Sequence, residues 1–253
     1  MVESGKFCFF GVPTSEGALG KNKGCENAPK YLAELLNINL TEFSLPKNDV
    51  EEQQNKTFAF AKSAFVSCKN CALFFFGGTH DITFSTFKAF AQVHKDASIL
   101  IFDAHADCDE GLSVVSHEDF VRALVEQKIV ASEQILLFGL RKVYPSEKSF
   151  LKSSGVKQIY LKEINSNPKR VFSELNSFIK NSKNLYVSFD VDVLDSEIMK
   201  ATGYVHKGGL SGAQTKKFLS LVLKKSRGFD LVEFNPKKSS PKEDKLIKSL
   251  FSF

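Results

Sequence analysis

Seven short apolar runs, separated by stretches of helical spacing, constrain this chain more than any other feature. The runs are Phe7 to Gly11, Ala72 to Phe76, Ser98 to Phe102, Ile135 to Phe138, Gln158 to Tyr160, Leu185 to Phe189 and Leu231 to Phe234. Helix-like stretches at Ala28 to Leu36, Phe84 to Val93, Glu118 to Glu126, Pro168 to Asn181 and Gly212 to Lys225 fall between them. Continuously apolar strands are buried on both faces, and strands alternating with helices imply βαβ crossovers. The pattern predicts a doubly wound α/β fold with a parallel sheet. With 253 residues and 43% hydrophobic content the chain can fill one large core, so residues 1–253 are expected to form a single domain. Asn37 to Thr57 is polar and carries no clear pattern, and Lys237 to Asp244 reads as a loop before a short last helix.

Composition excludes several classes of function. No apolar stretch reaches the roughly 18 residues of a membrane span, and the opening MVESGKFCFFG runs into a strand pattern instead of a signal peptide. A cytoplasmic protein with no membrane partner is expected. The net charge of +5 comes from dispersed lysines without interleaved exposed aromatics, so no nucleic-acid partner is expected. Five scattered cysteines (Cys8, Cys25, Cys68, Cys71, Cys108) in a chain of this size favour reduced thiols. Cys68 and Cys71 form a lone CxxC, read here as the end of a helix and not as a redox or zinc site.

The chemistry concentrates where the strands end. Asp103, His105 and Asp107 alternate directly after one run, Asp190 and Asp192 follow another, and His80 follows a third. In an open α/β sheet the carboxyl ends of the strands line the ligand crevice, and Glu233 falls there too. One acidic pair is ordinarily a solvated loop. Several carboxylates converging on one place repel each other unless cations neutralise them.

Four ordered segments resemble the motifs of the ureohydrolases, the family of arginase, agmatinase and formimidoylglutamase. They are Gly77-Gly-Thr-His80, Asp103-Ala-His-Ala-Asp107, Ser188-Phe-Asp-Val-Asp192 and Val232-Glu-Phe-Asn-Pro236. Gly11 to Gly17, Gly24 to Pro29, Ala201 to Gly203 and Gly208 to Leu210 extend the likeness over most of the chain. The resemblance implies a three-layer α/β/α fold around a mostly parallel sheet, two Mn2+ ions per subunit, and a homo-oligomer, trimeric or hexameric. It assigns His80, Asp103, Asp107 and Asp190 to one ion and Asp103, His105, Asp190 and Asp192 to the other. A hydroxide bridging the two ions would attack the carbon of a guanidino substrate, with urea and an amine as products. Asp107 would carry the proton, His117 would shuttle it, and Glu233 would hold the guanidinium.

Substrate identity has weaker signals. The loop Cys108 to Val115 is short, which resembles agmatinase more than arginase, and Asp109 and Glu110 in it could meet an amine tail. A histidine at position 117 leans away from formimidoylglutamases. Thr79 and Asp81 flank the metal histidine where the family commonly has an acid and a serine, a pattern closer to formimidoylglutamases. Ser196, Glu118 and Lys200 also depart from the family pattern. An agmatine-like guanidino compound is the expected substrate. The alternatives are an arginase, a formimidoylglutamase-type C–N hydrolase, or a non-catalytic metal-binding oligomer.

Overall fold

The computed structural model describes residues 7–251; residues 1–6, where the chain's opening segment was read, and 252–253 lie outside it. Eight parallel strands form one sheet: β1 (Phe7–Val12), β2 (Thr41–Glu42), β3 (Ala72–Gly77), β4 (Ala97–Phe102), β5 (Ile135–Leu140), β6 (Lys157–Tyr160), β7 (Asn184–Asp190) and β8 (Ser226–Val232). Their spatial order is β2-β1-β3-β8-β7-β4-β5-β6, and every pairing is parallel, so the expectation of a mostly parallel sheet is met in full.

Alternation along each strand divides the core in two. On β3, Leu73 and Phe75 point to one face while Phe74 and Phe76 point to the other. The first face is covered by α2 (Val50–Ser67), α3 (Ile82–Val93), α4 (Phe120–Glu126) and α5 (Pro145–Ser154), through residues such as Phe65, Phe87, Leu124 and Leu151. The second is covered by α1 (Ala28–Leu36), α6 (Leu161–Ser166), α7 (Pro168–Asn181), α8 (Gly212–Lys225) and α9 (Pro241–Leu250), through Leu32, Ile164, Leu175, Leu219 and Ile247 among others. The result is the three-layer α/β/α arrangement. No helix among the described residues is long and apolar enough to cross a membrane.

Three expectations need correction. Asn37 to Thr57 is not featureless, because α2 begins at Val50, capped by the Asp49 carboxylate accepting from Glu52 N at 2.8 Å. Its first half buries polar residues: Gln54 Nε2 donates to Val115 O at 2.6 Å, so no apolar stripe marks the helix until Ala61 and Phe65. The last strand runs Ser226–Val232, which leaves Glu233 and Phe234 beyond its end. The thiols are not all reduced either: a disulfide joins Cys8 to Cys71, with Cα atoms 6.3 Å apart, because β1 and β3 are neighbours with Cys8 opposite Leu73.

Candidate metal centre

The four central strands, β3, β8, β7 and β4, carry the cluster at their carboxyl ends. His80 follows β3, Glu233 follows β8, Asp190 closes β7 with Asp192 beyond it, and Asp103, His105 and Asp107 follow β4. Asp107 (φ 48°) and Glu233 (φ 62°) adopt left-handed backbone, which bends the chain sharply off each strand.

The six expected ligands converge. His80 Nδ1 lies 3.0 Å from both Asp103 Oδ2 and Asp107 Oδ2 and 3.4 Å from Asp190 Oδ2. His105 Nδ1 lies 2.9 Å from Asp192 Oδ2 and 3.4 Å from Asp103 Oδ1. Two overlapping donor groups result, His80/Asp103/Asp107 and Asp103/His105/Asp192, with Asp103 in both. All but His105 are buried. His80 Nδ1 and Asp103 Oδ2 are close but not aligned for a hydrogen bond, and neither has another hydrogen-bond partner in the protein, although buried polar atoms are normally paired. Two imidazole nitrogens and four carboxylates suit a manganese-like or magnesium-like ion with some transition-metal preference. The residues present therefore fit a pair of divalent cations.

Electrostatics agree with that fit. Burial, reinforced by repulsion from Asp103, raises the Asp107 carboxyl well above the ordinary carboxylate range. Burial together with Asp192 and Asp103 does the same to Asp190. Burial also works against charge on the imidazoles, yet the surrounding carboxylates outweigh it and push His80 and His105 upward. A buried set this polarised is relieved by cations placed between its members.

Surrounding contacts orient these side chains. Ser188 Oγ lies 2.9 Å from His80 Nε2 and donates to Asp230 Oδ1 at 2.5 Å; Asp230 Oδ2 also accepts from Tyr186 OH at 2.7 Å and Thr83 Oγ1 at 3.0 Å. With its own proton committed to Asp230, Ser188 accepts from His80 Nε2, which leaves Nδ1 as the lone-pair donor. Asp192 Oδ1 accepts from Ala104 N at 3.1 Å and Asp190 Oδ1 from Asp192 N at 2.7 Å. Thr79 and Asp81 bond to each other, and Asp81 accepts from Gln54, so their departure from the family pattern does not touch the His80 ring.

Glu233 and His117 flank the cluster. Glu233 Oε1 accepts from His80 N at 2.8 Å and Oε2 from Asn22 Nδ2 at 2.7 Å, and His117 Nδ1 stands 3.4 Å from Glu233 Oε1. Burial opposes ionisation of both, but their mutual attraction lowers the Glu233 pKa and raises that of His117. His117 is buried in the turn before α4, whose first residue is Phe120 and not Glu118, and its Nε2 has no partner in the protein.

A small cavity of about 30 Å³ opens over these groups. Asp109 lines it, held by Ser146 Oγ at 2.6 Å, whereas Glu110 is exposed and outside the lining. Glu118, Tyr144, Glu147, Thr202 and Tyr204 complete the wall. The Tyr204 ring stacks on His117 at 5.9 Å and its hydroxyl donates to Glu118 at 3.0 Å, while Lys21 pairs with the same carboxylate at 2.6 Å. Sequence reading did not single out Asn22, Tyr204, Asp230 or Ser188 as functional. For the last two a signal existed, since each polar residue stands between apolar neighbours, Asp230 between Phe229 and Leu231 and Ser188 between Val187 and Phe189.

Known proteins place this geometry in context. Human arginase-1 is 29% identical over 183 residues, covering 63% of this chain and 57% of that protein. Agmatinase from Halalkalibacterium halodurans is 29% identical over 165 residues, 63% of this chain and 54% of that protein. The chain thus matches just over half the length of these curated relatives. Formimidoylglutamase from Bacillus subtilis superposes with a TM-score of 0.87 at 17% identity, covering 96% of this chain and 85% of that one, which speaks for the fold alone. The model of the arginase family matches residues 5–249. That span takes in both ends of the sheet and all the residues converging at the cluster, and the chain belongs to the arginase family.

Proposed function

We propose that the protein hydrolyses a cationic guanidino compound, agmatine or a close analogue, to an amine and urea at a two-manganese site. The observation that carries this reading is the charge of the cavity wall. Its lining holds Asp109, Glu147 and Glu233 besides the cluster aspartates, and no lysine or arginine among the described residues; Lys21 beside it is already paired with Glu118. An α-carboxylate, as in arginine, or the two of formimidoylglutamate, would enter that wall without a countercharge. A substrate cationic at both ends meets carboxylates at both ends.

His80, Asp103, Asp107 and Asp190 would hold one cation, and Asp103, His105, Asp190 and Asp192 the other. Bound there, two divalent cations would acidify a water and supply a nucleophile near neutral pH. Glu233 orients the substrate, its carboxylate offering the remaining lone pairs to paired guanidinium N–H groups. The contacts from His80 N and Asn22 hold that carboxylate in place before substrate arrives. Asp107 accepts the proton released as the carbon is attacked and returns it to the leaving amine. His117 Nε2 exchanges that proton with the cavity, and Glu233 keeps its imidazole basic enough to do so. Asp109, fixed by Ser146, receives the distal ammonium.

Urea and formamide release are to be measured from agmatine, arginine and formimidoylglutamate after manganese loading, together with metal content. Urea from agmatine with the highest kcat/KM and about two ions per chain is expected. Formamide release, or a preference for arginine, overturns the substrate assignment. Inactivity toward all three with both ions bound overturns the enzymatic reading in favour of a metal-binding protein.

A further inference from the structure

At the end of the sheet away from the cluster, β1 and β3 begin side by side, with Phe7 opposite Ala72 and Cys8 opposite Leu73. Cys71 directly precedes β3, and Cys68 is the residue on which α2 ends. Three cysteines from three elements therefore meet. Their sulfurs all lie within 4.8 Å of one another, and Cys68 Sγ is 3.7 Å from Cys8 Sγ.

We propose that in the reduced chain Cys8, Cys68 and Cys71 form a zinc-thiolate site, separate from the aspartate and histidine cluster. Tetrahedral zinc with Zn–S bonds of about 2.3 Å sets its sulfurs about 3.8 Å apart, close to the 3.7 Å between Cys68 and Cys8. All three residues are only half-buried, so an ion can reach them. Cys68 and Cys71 also face a cavity lined by His94, Lys69, Lys224, Lys225 and Arg227. A water entering from that cavity would be the fourth ligand. Three thiolates around Zn2+ leave one net negative charge, which basic side chains lining the cavity would offset. Soft sulfur donors select zinc over manganese, so the two centres do not compete for the same ion.

The disulfide between Cys8 and Cys71 is the oxidised alternative to this site. Oxidation by hydrogen peroxide takes two electrons from the thiolates of Cys8 and Cys71 and forms the S–S bond; the O–O bond breaks, two protons from solvent convert its oxygens to two waters, and Zn2+ leaves with its charge unchanged. Reduction by a phosphine reverses the sulfur chemistry: the phosphine takes up the oxygen of one water, and two thiols result. Rebinding of zinc then displaces the thiol protons. Zinc binding and disulfide formation are mutually exclusive, so zinc retention reports the redox state of this end of the sheet.

Cobalt(II) distinguishes this site from the carboxylate cluster, because only sulfur ligation gives a thiolate-to-cobalt charge-transfer absorption. Phosphine-reduced, metal-stripped protein titrated with cobalt should develop that absorption, lose it on adding zinc, and lack it in Cys68→Ser and in Cys71→Ser. Independently of how those variants fold, zinc should protect Cys8, Cys68 and Cys71 of the wild type from alkylation, mapped by mass spectrometry, and a chelator should restore it. Absence of the absorption in reduced wild type, its survival in Cys68→Ser, or alkylation indifferent to zinc would each overturn the proposal.

Discussion

Replacing Ser188 by alanine tests how the fold orients the proposed metal ligand His80. Ser188 is fully buried on β7, touches no expected ion position, and joins His80 Nε2 at 2.9 Å to Asp230 at 2.5 Å. Ser188→Ala removes the acceptor of the His80 Nε2 proton and one donor to a buried carboxylate, while changing volume by a single oxygen. A buried donor left without a partner costs about 1–3 kcal/mol, and at about 1.4 kcal/mol per tenfold this is a loss of roughly 5-fold to 150-fold if it falls on metal binding. Loss of a metal ligand's outer partner typically weakens affinity about 10- to 100-fold, so the two routes to the number overlap. The assay is competitive metal titration against a chelating dye, with kcat measured at saturating manganese. Affinity for the His80-bound ion should fall within that range, while kcat at saturation stays within about threefold, since no group that moves a proton has been removed. Wild-type metal affinity in a folded Ser188→Ala protein would refute the claim that Ser188 fixes the tautomer of His80.

Two further outcomes follow from the site. His117→Ala and Glu233→Gln should each keep both ions and lose on the order of 10²–10⁴-fold in urea release, whereas His80→Ala should lose metal; metal analysis and steady-state rates separate the cases, and metal loss in His117→Ala would show that histidine to be a ligand. Burial lifts the Asp81 pKa from 3.8 to about 6, so the folded chain binds more protons than the unfolded chain between those values. Its stabilising contribution is therefore complete below about pH 4 and lost as pH rises through about 6, an effect of up to ~3 kcal/mol at about 1.4 kcal/mol per unit. Chemical unfolding of metal-free Asp81→Asn and wild type at several pH values should show the variant gaining relative stability from about pH 4 to pH 6.5; a difference independent of pH would refute the shift.

What could be read in the chain was local. A strand buried on both faces reads as a continuous apolar run, and ligands that leave a strand end do so at two-residue spacing, so most strands, the helices at Ala28–Leu36, Pro168–Asn181 and Gly212–Lys225, and all six converging His and Asp residues were legible. α2 was not, because its first turns bury glutamines that satisfy loop carbonyls, and their burial leaves no hydrophobic period. The start of β8 was missed for a related reason: Ser226, Arg227, Gly228 and Asp230 are polar or small, yet Asp230 lies in the middle of the sheet, satisfied by the hydroxyls of Thr83, Thr86, Tyr186 and Ser188.

By itself, then, the sequence determined the class of fold, the set of converging His and Asp residues and the family likeness, each carried within segments of a few residues. Only the tertiary structure decided which segments meet. The strand order β3-β8-β7-β4 sets side by side four strands scattered along the chain, and that adjacency creates the contacts of Ser188 and Asp230 behind His80 and of Asn22 with Glu233. The same principle turned a lone CxxC into part of a three-sulfur cluster, since its third member, Cys8, lies 60 residues from Cys68 and arrives only because β1 pairs with β3. Hydrophobic period and strand-end spacing are properties of one segment, whereas hydrogen-bond partners and shared ligands belong to pairs of segments, and the pairing is fixed by how the whole sheet buries its two faces.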